Sequence, residues 1–373
     1  MRKPKTCPTA TLHPESVHRQ QMPEPCNPAL HLTRARRMAK VFLYAVLLII
    51  APSGFTQDIH FSQFYASPLT LNPALTGNFD GLLRLGANYR NQWASVTIPY
   101  QTFSAYTDVN MLRAKLRGNW FSMGVCAVND HAGDGNLTVN KASLSAAYHI
   151  RLTKWRKLYL SVGLSGIYVH KKIDYSRLLF DSQWNDVGFS SQIDPGEQFI
   201  SSSVSYPDLH AGISMTYQIP RILTLEGGVS MIHITSPRES LLDGTNRVHR
   251  RPVAHAYADI AVKKSLSLQP GAVYMYQRKA QEIIFGTNLS IVKKLTYSRK
   301  FYLITGIWYR HKDAIFPLLG GQLQQTRLLL TYDTNLSKLV PGSHTIGAFE
   351  ISIVHIIDKK QPVNTVRYCP RIF

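Results

Sequence analysis

From residue 81 onward the sequence alternates apolar and polar residues in runs of about ten, and turn-forming residues separate the runs. In the first run Leu83, Leu85 and Ala87 share one face, whereas Arg84 and Gly86 lie on the other. A β-strand points successive side chains to opposite faces, so a period of two predicts strands with one apolar and one polar face. Frequent glycine within the runs argues against helices.

About fourteen such runs follow one another between residues 81 and 358, which is an even number, as a single-chain outer-membrane barrel requires. Soluble sandwiches and propellers also alternate, but here the polar face carries mostly small uncharged residues and many runs end in an aromatic residue. The sequence therefore predicts an all-β fold, a transmembrane antiparallel β-barrel of the outer membrane, closed because open edges do not occur in lipid. Those aromatic residues are Trp93, Trp120, Trp155, Tyr276 and Trp308.

The two faces lead to different expectations for substitutions. Leu85→Arg on the lipid side should cost roughly 2–4 kcal/mol near the bilayer midplane, whereas Arg84→Ser on the lumen side should cost much less. The run at 313–323 is the weakest strand candidate, because Pro317 cannot donate a ladder hydrogen bond.

The formal net charge is +20, yet only 17% of the residues are charged and 45% are hydrophobic. Nucleic-acid binders gather their cations on one face, whereas here short basic pairs lie at the ends of apolar runs. We expect no nucleic-acid partner, and favour anionic lipid or an acidic protein surface. The pairs are Lys171-Lys172, Arg250-Arg251, Lys263-Lys264 and Lys293-Lys294.

Residues 38–56 read as a signal peptide, because Lys40 precedes eleven apolar residues, 41–51, and small residues follow at Gly54 and Thr56. Eleven residues are fewer than the ~20 that an uncleaved helical anchor needs. We predict cleavage before Gln57. Residues 1–37 are interpreted as a dispensable or mis-assigned extension, with a long basic leader as the alternative.

Residues 57–80 do not alternate, and Pro68 and Pro73 remove backbone donors that a strand needs. The stretch is too apolar for a free tail, so we predict a compact plug or docking segment instead of a first strand; a solvent-exposed linker is the alternative. Residues 81–358 are assigned to the barrel and 359–373 to a C-terminal tail.

Long segments follow the fifth and seventh runs, at 174–207 and 236–251. Both join an odd to an even run and so lie at the same end of the barrel. Extracellular loops of such barrels are long and periplasmic turns short, so these loops are expected to face the medium or a partner.

The sequence carries no hydrolase elbow, phosphate loop or paired zinc motif. The acidic residues of the first long loop match no calcium loop, and Cys126 and Cys369 are too few for a disulfide framework. We expect no catalytic, cofactor or metal site. The histidines are expected to be isolated interfacial or lumen residues, namely His60, His131, His210, His233, His255 and His311.

Several short motifs in this chain resemble the PorP/SprF family of type IX secretion outer-membrane proteins of Bacteroidetes. The resemblance is densest at the predicted start of the mature chain and reaches the carboxy terminus at Cys369–Phe373, which has one residue more than the usual family ending. The motif residues are His60, Phe61, Ser62, Gln63, Phe64, Asn72, Pro73, Gly77, Asn88, Arg90, Gln92 and Trp93, with Tyr106, Asp108, Arg310, Asp313, Ala314, Tyr332 and Asp333 farther along.

The resemblance implies a non-enzymatic component of type IX secretion or gliding motility, which assists export or surface attachment of a secreted adhesin or its C-terminal domain. It also implies secretion-system proteins as partners, and makes the first twelve motif residues candidates for plugging or partner docking. Composition and patterning alone show only a barrel, so two alternatives stay open. One is a passive channel or small-solute transporter, and the other is an enzyme embedded in the barrel.

Overall fold

The structure, a computed structural model, describes residues 58–358 apart from 96–97, 112–117, 154–156, 186–187, 191, 195, 197–200, 242–244, 295–299 and 338–344. The predicted extension, signal peptide, cleavage site and C-terminal tail lie outside the described residues.

Fourteen strands form one closed antiparallel barrel, in which each strand pairs with its neighbours in sequence and β1 pairs with β14. The barrel closes in register from Leu83 opposite Ile357 to Gln92 opposite Ala348. The predicted all-β barrel is thus confirmed. The strands are β1 (Leu83–Gln92), β2 (Tyr100–Met111), β3 (Trp120–Ala132), β4 (Leu137–Arg151), β5 (Lys157–Lys172), β6 (Ser203–Ile219), β7 (Leu223–Ile232), β8 (Arg251–Lys263), β9 (Leu266–Gln277), β10 (Ala280–Lys294), β11 (Lys300–Arg310), β12 (Ala314–Leu323), β13 (Thr326–Asn335) and β14 (Ile346–Ile357).

The two faces of the strands are as the alternation predicts. Leu85, Phe103 and Leu164 point outward and keep 42%, 49% and 55% of their surface exposed. The intervening polar residues point inward and are buried, as Asn88 and Ser104 illustrate. Apolar residues outside and polar residues inside are the arrangement of a barrel that faces lipid.

Four prolines lie in strands, Pro207, Pro252, Pro270 and Pro317, and each pairs with a neighbouring strand on one side only. Pro317 pairs with β11, but the pairing of β12 with β13 skips the residues between Ile315 and Leu318. Strand β6 begins at Ser203, so the predicted loop 174–207 was too long and includes Pro207 wrongly. Pro207 is opposite Tyr168 of β5, whereas pairing of β6 with β7 begins only at Ala211. A proline with one paired side needs no second ladder bond.

The barrel has two unlike ends. The connections 173–202 and 233–250 lie at one end, which we call the loop end; β1 begins and β14 ends at the other, the terminal end. In outer-membrane barrels these correspond to the extracellular and periplasmic sides. No helix within the described residues is long and apolar enough to cross a membrane.

Residues 58–78, here called the N-terminal segment, precede β1 and fold into three short turns. Two prolines stand at helix starts, where their fixed φ and missing N–H are harmless. Asn72 caps the last turn by accepting from the Ala74 N–H at 2.9 Å. The helical elements are a 3-10 turn (Phe64–Ala66), α1 (Pro68–Leu71) and a 3-10 turn (Pro73–Leu75), with two more 3-10 turns in the loop after β5 (Tyr175–Arg177, Asp181–Gln183).

The apolar core of the protein lies between this segment and the barrel wall. Phe64, Leu71 and Leu75 pack with buried side chains such as Trp308 and Phe316 of β11 and β12. The segment therefore covers apolar residues of the wall that face the lumen, and burial of these side chains contributes to stability inside the barrel.

Candidate functional site in the barrel lumen

Ser62 is the centre of a buried polar cluster at the loop end. Its hydroxyl donates to Asp333 at 3.0 Å and accepts from the guanidinium groups of Arg90 and Arg310, the latter at 2.6 Å. The backbone N–H groups of Ser62 and Gln63 donate to the two carboxylate oxygens of Glu350, each at 2.9 Å. Charged strand residues thus bind both the side chain and the backbone of the segment.

The charges around Ser62 also pair with one another. Arg90 lies 3.0 Å from Glu350 and 3.1 Å from Asp333, while Arg310 lies 3.1 Å from both Asp333 and Glu282. All five side chains are at least nine-tenths buried. Removing one member of such a network leaves an unpaired buried charge, which costs far more than the intact network contributes.

The beginning of the segment is held by further charges. His60 Nε2 lies 3.1 Å from Glu282. Asp58 lies 2.6 Å from Lys141 Nζ and 3.0 Å from His233 Nε2. Burial alone would raise the pKa of Asp58, but Lys141, His233 and the nearby Arg251 together hold that pKa well below its usual value. We call Asp58, His60, Ser62 and Gln63 with these strand partners the loop-end anchor.

The middle of the segment is held by aromatic contacts. Phe64 meets Trp308 edge-on with ring centroids 5.5 Å apart, and the Tyr65 ring tilts over Trp308 at 5.2 Å. The Tyr106 hydroxyl donates to the Ala66 carbonyl at 2.9 Å. Edge-to-face and offset aromatic pairs of this kind fix orientation as well as burying area.

Farther on, the segment approaches the backbone of the wall directly. The Asn72 side-chain amide donates to the carbonyls of Ile213 and Val229 at 3.2 and 3.3 Å. A Cβ on Gly163 would lie 2.3 Å from the Pro73 carbonyl carbon, and one on Gly212 would lie 1.9 Å from Asn72 Oδ1. Glycine at these two strand positions therefore makes room for the segment.

The segment ends at Gly77, which has a φ of +73° that glycine adopts without strain. Its N–H donates to Asp108 at 2.6 Å, and Arg84 forms an ion pair with the same carboxylate at 2.7 Å. Trp120 donates to the Gly77 carbonyl at 3.3 Å. We call Asn72, Pro73 and Gly77 with these strand partners the terminal-end anchor.

The structure brings most of the twelve motif residues together in these two anchors, but not all. Phe61 is buried beside the loop-end anchor, and Gln92 accepts from Arg90 at a long 3.4 Å. Asn88 points into the lumen, and neither of its side-chain polar atoms has a partner among the described residues. Trp93 lies apart at the end of β1, edge-on to Tyr100. This position is typical of an aromatic residue at the membrane–water interface, and not of a residue that belongs to either anchor.

Sequence reasoning missed several of these partners and wrongly described two of the histidines as isolated. Glu282 and Glu350, which complete the network around Ser62, stand in no motif that marked them. His210 and His233 are not isolated, since both approach Asp208. The only available signal was their position at facing ends of two runs predicted to be neighbours.

A cavity of about 220 Å³ remains beside the segment, on the side of β7, β8 and β13. Tyr65 and Leu71 line it from the segment, and Glu226, His255 and Arg327 from the wall. Both ring nitrogens of His255 lack a partner among the described residues. The lumen is thus filled incompletely, with room for several water molecules.

Among solved structures, the chain is similar to outer-membrane barrels at low identity. The toluene transporter TbuX of Ralstonia pickettii has 12% identity and a TM-score of 0.46, covering 81% of this chain and 94% of that protein. A FadL homologue of Pseudomonas aeruginosa has 12% identity and a TM-score of 0.43, covering 76% and 92%. BamA of Haemophilus ducreyi has 8% identity and a TM-score of 0.39, covering 74% and 70%. Nothing about transported solutes follows from values this low.

No curated protein matches the sequence. The model of one protein family, described as type IX secretion system membrane protein PorP/SprF, matches residues 53–355 and so covers the barrel and the N-terminal segment. A closed barrel with an apolar outer face and membership of a secretion-system membrane family together place the protein in the outer membrane. This chain belongs to the PorP/SprF family of type IX secretion system membrane proteins.

Proposed function

We propose that this protein is a non-enzymatic outer-membrane accessory of type IX secretion and gliding, and that its N-terminal segment plugs the barrel. In this proposal the barrel assists export or surface attachment of a secreted adhesin or its C-terminal domain. The observation that carries the proposal is the double anchoring of the segment within a barrel of this family.

The anchoring supports a plug because the segment contacts the wall on many sides. Its polar partners come from β1, β2, β6, β7, β13 and β14, at Arg90, Asp108, Ile213, Val229, Asp333 and Glu350. A solute that passed where the segment lies would have to displace buried, charge-paired side chains, which is energetically costly. A closed barrel of this kind serves better as a binding platform than as a pore.

The proposed partners have distinct places on the barrel. Outer-membrane lipid would surround the apolar outward band, which Leu85, Phe103 and Leu164 exemplify. Secretion-system proteins and the adhesin would meet the loops or the turns at the two ends, because the lumen is occupied. The buried charges around Ser62 are engaged with each other and with the segment, so we assign Arg90, Arg310 and Glu350 structural work and no catalytic role.

Deletion of residues 58–77 with the signal peptide retained tests this proposal. We expect the deleted barrel to reach the outer membrane and to remain heat-modifiable in electrophoresis. Its conductance in planar bilayers should rise, or its co-purification with secretion partners should be lost. A deleted barrel that inserts, stays closed, still binds its secretion partners and still supports export would contradict the plug and leave the segment a linker.

The alternative function is a passive channel or small-solute transporter, which the lumen cavity favours. A route through the protein would join that cavity to both ends beside the segment. Conductance of the intact protein in liposomes separates the two functions, because the plug proposal expects a closed barrel and the channel proposal expects steady ion flux.

A further inference from the structure

Two histidines and one aspartate converge at the loop end of the barrel. Asp208 and His210 lie two residues apart on β6, so both side chains point inward. His233 directly follows β7, the next strand. One ligand atom from each of the three residues lies within 4.8 Å of the other two. The pairing of β6 with β7 thus brings His233 close to Asp208 and His210, which precede it by 25 and 23 positions.

The distances suit a small metal ion. His210 Nε2 lies 3.3 Å from Asp208 Oδ2, and ligand atoms of a tetrahedral zinc site with bonds of about 2.1 Å lie about 3.4 Å apart. His233 Nδ1 is in close hydrogen-bond contact with the same oxygen. A metal would replace the proton in that contact, and the two atoms would separate slightly. Two imidazoles and a carboxylate suit zinc and other divalent first-row metals.

The surrounding hydrogen bonds orient these three ligands as outer-shell partners do. Asp58 Oδ2 lies 3.0 Å from His233 Nε2, which fixes that nitrogen as the donor and leaves Nδ1 for a metal. Thr235 donates to Asp208 Oδ1 at 2.6 Å, so the other carboxylate oxygen is the one that faces the histidines. Carboxylate–histidine–metal arrangements of this kind are usual in protein metal sites.

We infer that Asp208, His210 and His233 form a binding site for one divalent transition metal ion, with Asp58 as its outer-shell carboxylate. The His210 side chain keeps 14% of its surface exposed, so the cluster is not sealed from solvent. Because Asp58 belongs to the N-terminal segment, a bound ion would strengthen the tie between the segment and the ends of β6 and β7. Metal would then stabilise the loop-end anchor.

Isothermal titration of the purified, EDTA-treated barrel with Zn²⁺ tests this inference. We expect one ion per chain, a loss of more than about tenfold in affinity for His210→Ala, and about 10–100-fold for Asp58→Asn, since outer-shell partners commonly contribute this much. His170→Ala is the matched control, because His170 lies on β5 and contacts Ser205 instead of the cluster. Its affinity should equal that of the parent.

Heat-modifiable migration checks that each variant is folded, and His210→Gln replaces His210→Ala if the latter is not. Co²⁺ provides a second readout, because its visible absorption bands report the coordination geometry of the bound ion; they should be lost in the His210 variant and kept in the His170 variant. Absence of saturable Zn²⁺ binding, or binding that His210→Ala and His170→Ala change equally, would overturn the site. His233 would then be only a hydrogen-bonded bridge between two aspartates.

Discussion

The two anchors hold the same segment by different chemistry. The loop-end anchor uses side-chain charges, with Arg90 and Arg310 set against Asp333, Glu350 and Glu282. The terminal-end anchor uses mainly backbone groups and close packing, in which two strand glycines admit the segment and Asp108 receives a backbone N–H. The first should therefore respond to charge changes, and the second to added volume.

This difference suggests different roles. A network of buried ion pairs is costly to desolvate and gives little net stability, but it penalises every arrangement that leaves a charge unpaired. It therefore specifies where the start of the segment lies. Close packing against Gly163 and Gly212 leaves the segment little freedom to shift, so this packing sets the depth of the segment in the lumen.

The largest expected effect is for Arg90→Ala in the loop-end anchor. The substitution leaves Glu350 and Asp333 short of their partner, so the free energy of unfolding in urea should fall by about 3–5 kcal/mol. Protease cleavage within the segment should become faster in the folded barrel. The double variant Arg90→Met with Glu350→Met should recover part of the loss, since no unpaired charge remains, while the Ser62 and Gln63 N–H groups lose their acceptor. Equal losses in both variants would show that packing, not charge, dominates this anchor.

Gly163→Val tests how the terminal-end anchor responds to added side-chain volume. Even a Cβ would overlap the Pro73 backbone, which has no flexible side chain to move, so overpacking should cost about 1–3 kcal/mol or displace the segment. Gly166→Val is the control, because nothing lies within 4 Å of a Cβ at that position of the same strand. Urea unfolding with limited proteolysis measures both. A Gly163 variant as stable as the Gly166 variant would remove the steric part of this anchor.

The smallest expected effect is for Asn72→Ala, which removes two amide donations to the wall and the cap of the following turn. We expect a loss of about 1–2 kcal/mol in the free energy of unfolding. Asn72→Asp keeps the capping acceptor but lacks the amide donors. If the aspartate variant matched the parent, the contacts with Ile213 and Val229 would contribute nothing.

The strands were predictable because alternation is local. Each run fixes its own two faces, and neighbouring runs pair through short turns, so the number and order of strands follow from the sequence. The exceptions are boundaries such as the start of β6, where Pro207 lies in a stretch of the strand that pairs with β5 but not with β7.

The partners in the lumen were not predictable, because they join residues far apart. Ser62 and Glu350 are 288 positions apart and meet only when the barrel closes with the segment inside. The family motifs marked Ser62, Arg90, Arg310 and Asp333 without indicating that they touch. Alternation also gave no sign that Arg84 pairs with buried Asp108, and this ion pair argues for a larger effect of Arg84→Ser than the alternation alone predicts.

An engineered disulfide tests directly whether the N-terminal segment lies inside the barrel. The positions are Asn72→Cys and Gly212→Cys, with Cys126→Ser and Cys369→Ser as background. A Cβ at residue 212 would lie 2.8 Å from Asn72 Cγ, the atom whose place the Sγ of the Asn72→Cys variant would take, so the two sulfurs can come within bonding distance. The matched control pairs Asn72→Cys with Phe103→Cys, whose side chain points outward on β2.

Non-reducing electrophoresis of heat-unfolded outer-membrane protein, with mass spectrometry of the linked peptides, measures the cross-link. We predict that the 72–212 pair becomes linked in a barrel that is heat-modifiable, and that the 72–103 pair does not. If the 72–212 pair fails to link under added oxidant in a folded barrel, or if both pairs link equally, the segment does not lie inside the barrel against β6.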